Sequence, residues 1–179
     1  MLLIENALLL VIDLQVRLMP SIFNHEEISR SAATLIRGCR LLGIPVLVTQ
    51  QYTKGLGETL PTMKDSLGEF EPIEKTTFSC YGNQEFLNKL EGSGRKRIIV
   101  TGVETHICVQ QTAMHLLENG YNVYVAADCA GSRSENDRFY AEQRMRQAGV
   151  VLTTCESVLF EFLKSADHPK RKEISNLVK

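Results

Sequence analysis

Short apolar stretches alternate with amphipathic ones along this chain, and that alternation limits its possible folds most strongly. The first stretch, residues 7–13, reads ALLLVID and is apolar until its final residue, Asp13. Such a continuous run is typical of a strand buried on both faces, because neither set of alternating side chains meets water. Further strands are predicted at residues 44–49, 96–101, 122–126 and 149–153, with a shorter one at residues 71–77.

Helical patterns fill the intervals between these strands. Between Ile28 and Leu42 the apolar residues recur at the spacing of one helix face, and Gly43 ends that helix. Helices are predicted at residues 28–42, 84–90, 106–119, 136–147 and 157–164. Strands that alternate with helices build βαβ units, so we expect a doubly wound, three-layer α/β fold with about six parallel strands. Residues 51–70 have a weak pattern and are expected to form a functional loop.

Size and charge narrow the class of protein. A length of 179 residues predicts one domain, residues 1–179. The net charge of −1 argues against nucleic-acid binding driven by bulk charge. The longest apolar run, residues 7–12, falls far short of the ~20 residues of a membrane span, so no membrane association is expected. The N-terminal residues lack a basic segment and a cleavage site, and they indicate a strand rather than a signal peptide.

Cysteine usage indicates the compartment. The chain has five cysteines, an odd number, with no CxxC motif and no close pair. This pattern favours free thiols in a reducing compartment, and we therefore expect a cytoplasmic protein.

Three chemically useful residues lie near the ends of three different predicted strands. Asp13 ends the first strand, Lys75 lies near the end of the short strand, and Cys108 follows the strand at residues 96–101. In doubly wound sheets the carboxyl ends of the strands meet at one crevice, where ligands bind. Each residue also has an ordinary interpretation: Asp13 as a helix cap, Lys75 as a solvated side chain, and Cys108 as a small buried apolar group.

The segment around Cys108 predicts more than a nucleophile. If Thr105 is the N-cap of the following helix, Cys108 lies in the first turn, where the helix dipole lowers the pKa of a thiol. The N–H groups of a first turn have no partners inside the helix and can bind an oxyanion. Asp13 could then accept the thiol proton, while Lys75 could stabilise the thiolate and position the carboxylate.

Three motifs resemble the isochorismatase-like cysteine hydrolase superfamily, which includes nicotinamidases and N-carbamoylsarcosine amidohydrolases. They are LLLVIDLQ at residues 8–15, EKTTFSC at 74–80 and VTGVETHICVQQTA at 100–113. The stretch QQYTKGLGETLP at residues 50–61, with DHPKRKEIS near the C-terminus, resembles the isochorismatase domain-containing proteins within that superfamily.

The resemblance implies a catalytic triad of Asp13, Lys75 and Cys108 and a parallel sheet of order 3-2-1-4-5-6. It implies a cis peptide bond between Val103 and Glu104, and an oxyanion hole made by the backbone N–H groups of Glu104 and Cys108. The implied reaction attacks a carbonyl with Cys108, forms a thioester and releases an acid. Many relatives assemble into rings or dimers, so the resemblance also implies a homo-oligomer.

Two departures from the family refine the expected chemistry. True isochorismatases lack the cysteine, so Cys108 favours hydrolysis of a small amide or carbamoyl C–N bond. Metal-containing nicotinamidases have an Asp-x-His…His set after the second strand, whereas this chain reads TQQYTKGLGE there. We therefore expect no metal and no other cofactor, and nicotinamide is disfavoured as the substrate.

Position alone suggests five substrate-binding residues: Gln15, Gln50, Tyr52, Phe78 and His106. The other four cysteines are expected to be structural. The main alternative to a hydrolase is a catalytically silent binding or scaffold protein on the same fold. A thiol redox protein lacks an obvious resolving cysteine, and an FMN-binding module lacks a phosphate loop after the first strand.

Overall fold

The fold is that of a doubly wound sheet between two helical layers, as predicted. The computed structural model describes residues 1–179. The strands are β1 Ala7–Ile12, β2 Val46–Gln51, β3 Ile73–Lys75, β4 Arg97–Val103, β5 Asn122–Gly131 and β6 Val151–Thr153. They pair in parallel in the order β3-β2-β1-β4-β5-β6, which confirms the topology implied by the resemblance.

The helices are α1 His25–Leu41, α2 Thr53–Leu56, α3 Pro61–Leu67, α4 Gln84–Gly92, α5 Gln110–Glu118, α6 Glu135–Ala148, α7 Cys155–Leu163 and α8 Arg171–Leu177. The expected loop at residues 51–70 therefore contains two short helices, α2 and α3. The helix expected from residue 106 is divided into one π-helical turn, Thr105–Val109, and α5. None of the helices combines the length and the apolar character needed to cross a membrane.

Strand β1 shows why a continuous apolar run was required. Leu9 and Val11 pack into one apolar cluster with residues of α1, α3, α7 and α8. Leu8, Leu10 and Ile12 pack into a second cluster with residues of α4 and α5. Both faces of β1 are thus covered, and every residue of the strand is buried.

The order of the strands fixes where a site can form. The chain proceeds from β1 to β2 and β3 on one side, and it resumes at β4 on the other side of β1. The crevice of a doubly wound sheet lies at this reversal, outside the carboxyl ends of β1 and β4. Asp13 follows β1 directly, and the segment that leads to Cys108 follows β4.

Candidate active site at the carboxyl end of the sheet

The structure brings Asp13 and Lys75 into direct contact. The Lys75 Nζ atom donates a hydrogen bond to Asp13 Oδ2 at 2.6 Å, across 62 positions in sequence. Both side chains are completely excluded from solvent. Lys75 is the last residue of β3, so the edge strand carries the ammonium group to the end of β1. A fully buried ion pair persists only when each charge is well compensated.

The backbone around Asp13 is shaped by a glycine on the neighbouring strand. Asp13 has a left-handed conformation with φ of 54°, which Asp tolerates better than most residues. Gly102, near the end of β4, has φ of 129°, and a Cβ there would lie 2.0 Å from the carbonyl oxygen of Ile12. Only glycine therefore allows the ends of β1 and β4 to approach each other this closely.

Cys108 is only 5% exposed, in the π-helical turn after β4. Burial raises the pKa of its thiol, the charge of Asp13 raises it further, and Lys75 lowers it by a smaller amount. The sequence predicted a lowered pKa for Cys108, and this prediction is wrong. A helix-dipole argument does not include the cost of desolvating a thiolate beside a carboxylate. The resting side chain is thus a neutral thiol with a carboxylate nearby.

The ammonium group keeps its charge despite its burial. Burial alone lowers the pKa of Lys75, but Asp13 and the sulfurs of Cys80 and Cys108 outweigh that effect, and the pKa is raised. Lys75 Nζ also donates to Gln51 Oε1 at 2.7 Å and to the carbonyl oxygen of Phe78 at 3.2 Å. Lys75 is therefore a fixed positive charge that orients Asp13.

Thr105 does not act as the predicted cap. Its Oγ1 is buried and has no hydrogen-bond partner, and the turn shows no capping side chain. Instead, the carbonyl oxygen of Glu104 accepts from the N–H groups of Ile107 and Val109 at 3.1 and 3.2 Å. The wider π-helical turn explains the difference, because Cys108 does not occupy the N3 position of a regular α-helix.

Glu104 has the backbone features implied for an oxyanion donor. The peptide bond between Val103 and Glu104 is cis, as implied by the resemblance. The backbone N–H of Glu104 donates to no acceptor in the chain, although the residue is 6% exposed. Its carboxylate instead accepts from the backbone N–H and Nε of Arg133 at 3.2 and 3.0 Å. An unpaired backbone donor in this position is available for a ligand oxygen.

Two residues at the end of β2 were missed by the sequence analysis. Thr49 Oγ1 donates to Asp13 Oδ1 at 2.7 Å, and Gln51 accepts the Lys75 hydrogen bond described above. The rule that strand ends converge applies to β2 as well as to the other strands. That signal was present, but only acidic, basic and nucleophilic residues were sought.

Cys80 also lies in this cluster, although it was expected to be only structural. Its Sγ is 3.9 Å from Thr49 Oγ1, and its backbone N–H donates to Thr112 Oγ1 at 2.9 Å. Burial raises the pKa of Cys80 to about 11, with the charge of Lys75 acting in the opposite direction. The titratable side chains of the cluster are therefore Asp13, Lys75, Cys80 and Cys108.

Two of the predicted substrate-binding residues, Gln15 and Gln50, make hydrogen bonds within the chain. Gln15 is fully buried; its Nε2 donates to the carbonyl oxygens of Gln51 and Gly57, and its Oε1 accepts from the Gln51 N–H. Gln50 is 6% exposed and bonds Thr59 through Nε2. Their amides hold the segment after β2, and their roles as substrate contacts remain predictions.

The other three predicted residues lie at the surface. Tyr52 and Phe78 are 52% and 54% exposed. Both contact Lys75 through backbone atoms: the Tyr52 N–H donates to the Lys75 carbonyl oxygen, and the Phe78 carbonyl oxygen accepts from Lys75 Nζ. His106 is half-buried, with its Nδ1 2.9 Å from Ser132 Oγ. These three remain predictions as substrate contacts.

One sizeable cavity lies away from this cluster. It has a volume of about 620 Å³ and lies between α1 and the segments at Met19 and Leu60, away from Asp13, Lys75 and Cys108. No group of three or more His, Cys, Asp or Glu side chains is arranged to hold a metal ion. The chemistry-bearing groups therefore identify the candidate site better than cavity size does.

Comparison with known proteins identifies relatives that are similar in sequence over most of this chain. Isochorismatase domain-containing protein 1 of Salmo salar is 41% identical over 167 residues, which cover 93% of this chain and 59% of that protein. This chain thus spans little more than half of that relative. Isochorismatase domain-containing protein 2 of Danio rerio is 38% identical over 175 residues, covering 97% of this chain and 87% of the relative.

Two solved structures share the fold. One, described as the MAR1 ribonuclease from Caenorhabditis elegans, has a TM-score of 0.93 and 41% identity, covering 99% of this chain and 91% of that one. The YcaC gene product from Escherichia coli, described as an octameric hydrolase of unknown specificity, has a TM-score of 0.89 and 26% identity, covering 98% and 86%. The isochorismatase domain model matches residues 7–157. This chain therefore belongs to the isochorismatase family, as the resemblance of its motifs predicted.

Proposed function

We propose that this chain is a cysteine-dependent hydrolase that cleaves the C–N bond of small amide or carbamoyl compounds through a thioester. The observation that carries the proposal is the solvent-excluded pair of Asp13 and Lys75, whose charges both act on the Cys108 thiol. A buried carboxylate next to a neutral thiol is an arrangement for moving a proton between them.

The Cys108 thiol is acylated in the first half of the reaction and regenerated in the second. Asp13 accepts the Cys108 proton as Sγ attacks the substrate carbonyl carbon, and the N–H groups of Glu104 and Cys108 bind the resulting oxyanion. The C–N bond breaks, and the leaving amine takes the proton from Asp13. Asp13 then accepts a proton from water, which attacks the thioester. The acid leaves, and the proton returns to Sγ.

Lys75 holds the carboxylate in place throughout this cycle. Its ammonium group is surrounded by Asp13, Gln51 and two backbone carbonyl oxygens, and its side chain has no exposed surface. It therefore has no access to a substrate and is not a candidate for the proton donor. Its role in the proposal is to orient Asp13 and to offset the negative charge that moves from oxygen to sulfur.

A second candidate is a binding or scaffold protein that keeps this site without turnover. The small exposure of Cys108 and the remote position of the 620 Å³ cavity favour it. We also propose a homo-oligomer, because the E. coli relative is described as octameric. A cytoplasmic location is supported by five cysteines that are all free.

The test compares two cysteines of equal exposure. Cys108 and Cys155 are each 5% exposed, but only Cys108 has Asp13 and Lys75 as neighbours. Iodoacetamide labelling, followed by peptide mass spectrometry, should modify Cys108 first, because Asp13 accepts the proton of this neutral thiol as the sulfur attacks. A panel of primary amides and N-carbamoyl compounds should release ammonia with wild type and with Cys155→Ala, and not with Cys108→Ala.

Three outcomes would contradict the proposed hydrolase function. They are equal labelling of both cysteines, amide turnover that survives in Cys108→Ala, and no turnover of any panel member together with specific capture of a partner. RNA is also tested as a substrate, because the C. elegans relative is described as a ribonuclease. RNA cleavage that persists in Cys108→Ala would assign a different chemistry to the chain.

A further inference from the structure

The Asp13 carboxylate has two different hydrogen-bond donors. Thr49 Oγ1 donates to Oδ1 at 2.7 Å, and Lys75 Nζ donates to Oδ2 at 2.6 Å. Thr49 is fully buried, like the two charged residues. The donor on Oδ1 is neutral and the donor on Oδ2 is charged, so the two oxygens are not equivalent as bases.

Only one of these donors can adapt when Asp13 becomes protonated. An ammonium group has donors and no acceptor, so a proton on Oδ2 would face the N–H groups of Lys75. A threonine hydroxyl can rotate and accept a hydrogen bond instead of donating one. A proton on Oδ1 would therefore meet an acceptor as soon as the Thr49 hydroxyl turns.

The neighbour on the other side of Thr49 gives the turned hydroxyl a partner. Cys80 Sγ lies 3.9 Å from Thr49 Oγ1. In the resting state the Cys80 S–H donates to Thr49, which directs the Thr49 proton towards Asp13. After rotation, the Thr49 proton points to the Cys80 sulfur, which is a weak acceptor. The hydrogen bond from the Cys80 N–H to Thr112 Oγ1 fixes this segment against α5.

We propose that Thr49 is a positioning residue that makes Oδ1 of Asp13 the atom that takes up and returns the proton of Cys108. The inference rests on the proposed function. In the step concerned, the Sγ–H bond breaks, an Oδ1–H bond forms, and the electron pair stays on sulfur. The negative charge moves from the carboxylate to Cys108 while Lys75 stays positive, so the net charge of the cluster is unchanged.

The pH dependence of this step has few contributors. The charged and titratable groups that face the Asp13–Cys108 pair are Lys75 at the end of β3 and Cys80 in the loop that follows it. Removing the Thr49 hydroxyl takes a donor from the ionised carboxylate and leaves both of these groups in place. Oδ1 then has no neutral partner that can accept a hydrogen bond once it carries the proton, so proton transfer from Cys108 slows.

The test measures the rate of Cys108 alkylation by iodoacetamide from pH 5 to pH 9, a readout that needs no substrate. In Thr49→Val we expect the rate at neutral pH to be about tenfold lower than in wild type, the usual effect of losing a hydrogen bond to a charged group. Thr49→Ser, which keeps the hydroxyl, should restore the wild-type rate. For any amide that is hydrolysed, kcat should fall and KM should not change.

Thr101→Val is the matched control. Thr101 is also fully buried, and its Oγ1 donates to the Cys129 carbonyl oxygen at 2.7 Å rather than to Asp13. It should lose stability but keep the wild-type profile. Thr49→Ala replaces Thr49→Val if the valine variant does not fold.

Three results overturn the proposal: a Thr49→Val or Thr49→Ala profile that superimposes on wild type, an equal loss of rate in Thr101→Val, or no rescue by Thr49→Ser. If instead wild-type Cys108 does not react at all, the proposed function fails, and the result is recognisable because it precedes any comparison of variants.

Discussion

The five cysteines divide into two regions that are buried alike but surrounded differently. Cys80 and Cys108 lie at the carboxyl end of the sheet, within range of the charges of Asp13 and Lys75. Cys39, Cys129 and Cys155 lie together in the apolar layer that contains α1 and α7. Burial raises the pKa of Cys39, and the neighbouring Cys155 raises it further.

The difference shows that burial alone does not make a reactive thiol. In the α1 and α7 layer no buried cation opposes the cost of a thiolate. The nearby carboxylate of Asp128 accepts the N–H of Cys155 at 2.8 Å at the start of α7. At the sheet end, a fixed ammonium group and a carboxylate face the same sulfur. Reactivity is expected only where the chain brings an acceptor and a compensating charge to the thiol.

The largest loss of stability is expected when a side chain is added at Gly102, where β1 and β4 approach each other. Gly102→Ala would put a Cβ 2.0 Å from the Ile12 carbonyl oxygen in a backbone conformation with positive φ. We expect a loss of more than about 4 kcal/mol in the free energy of unfolding, or no folded protein. Gly92→Ala, where no atom lies within 4 Å, should be neutral within about 1 kcal/mol. Urea unfolding measures both, and similar losses would contradict the role given to Gly102.

The second effect tests the buried charge pair against an exposed one. Lys75→Met leaves the Asp13 carboxylate buried without its cation and should cost about 3–5 kcal/mol at neutral pH. Lys64→Met breaks the exposed pair with Glu58 and should cost less than about 1 kcal/mol. Denaturant unfolding at pH 7.5 measures both variants, and an equal loss of stability would contradict the role given to the buried pair.

The smallest expected change in stability is in the region of Cys39, Cys129 and Cys155. The pKa of Cys39 is raised in the folded chain, so its stabilising contribution is complete below the ordinary value of 9.0 and is lost as pH rises above it. Above that pH, the unfolded chain releases a proton that the folded chain keeps, and the free energy of unfolding should fall by about 1.4 kcal/mol per pH unit for this thiol.

Cys39→Ala should remove that part of the slope. Unfolding in reducing buffer between pH 8 and pH 10.5 measures it, and parallel curves for the variant and wild type would show that Cys39 ionises equally in both states. The variant should also be less stable at every pH, because it leaves a small cavity beside α7.

The sequence was sufficient for the fold because apolar runs and helical periodicity follow directly from burial. Even so, β5 continues to Gly131, beyond its expected end, since polar residues such as Asp128 hid the extension. The short helices α2 and α3 lack the length that a periodic pattern needs to be visible. The positions of Asp13, Lys75 and Cys108 were predictable from the strand-end rule and the resemblance.

The partners of those three residues were not predictable in the same way. The bond between Thr49 and Asp13 depends on the register of β2 against β1 and on side-chain rotamers. The amide of Gln15 could have faced a substrate, but the chain folds back so that it binds backbone groups instead. The ionisation of Cys108 depends on groups from β1 and β3, which no local argument about one helix includes.

The pairing of Asp13 with Lys75 also restricts how related sequences can diverge. A lineage that replaced either residue alone would pass through a protein with an isolated charge in its interior, which selection for folded protein would remove. The two positions should therefore be inherited together or replaced together, by an uncharged couple. A descendant that has lost the chemistry is expected to show the change at both places, 62 positions apart in the chain.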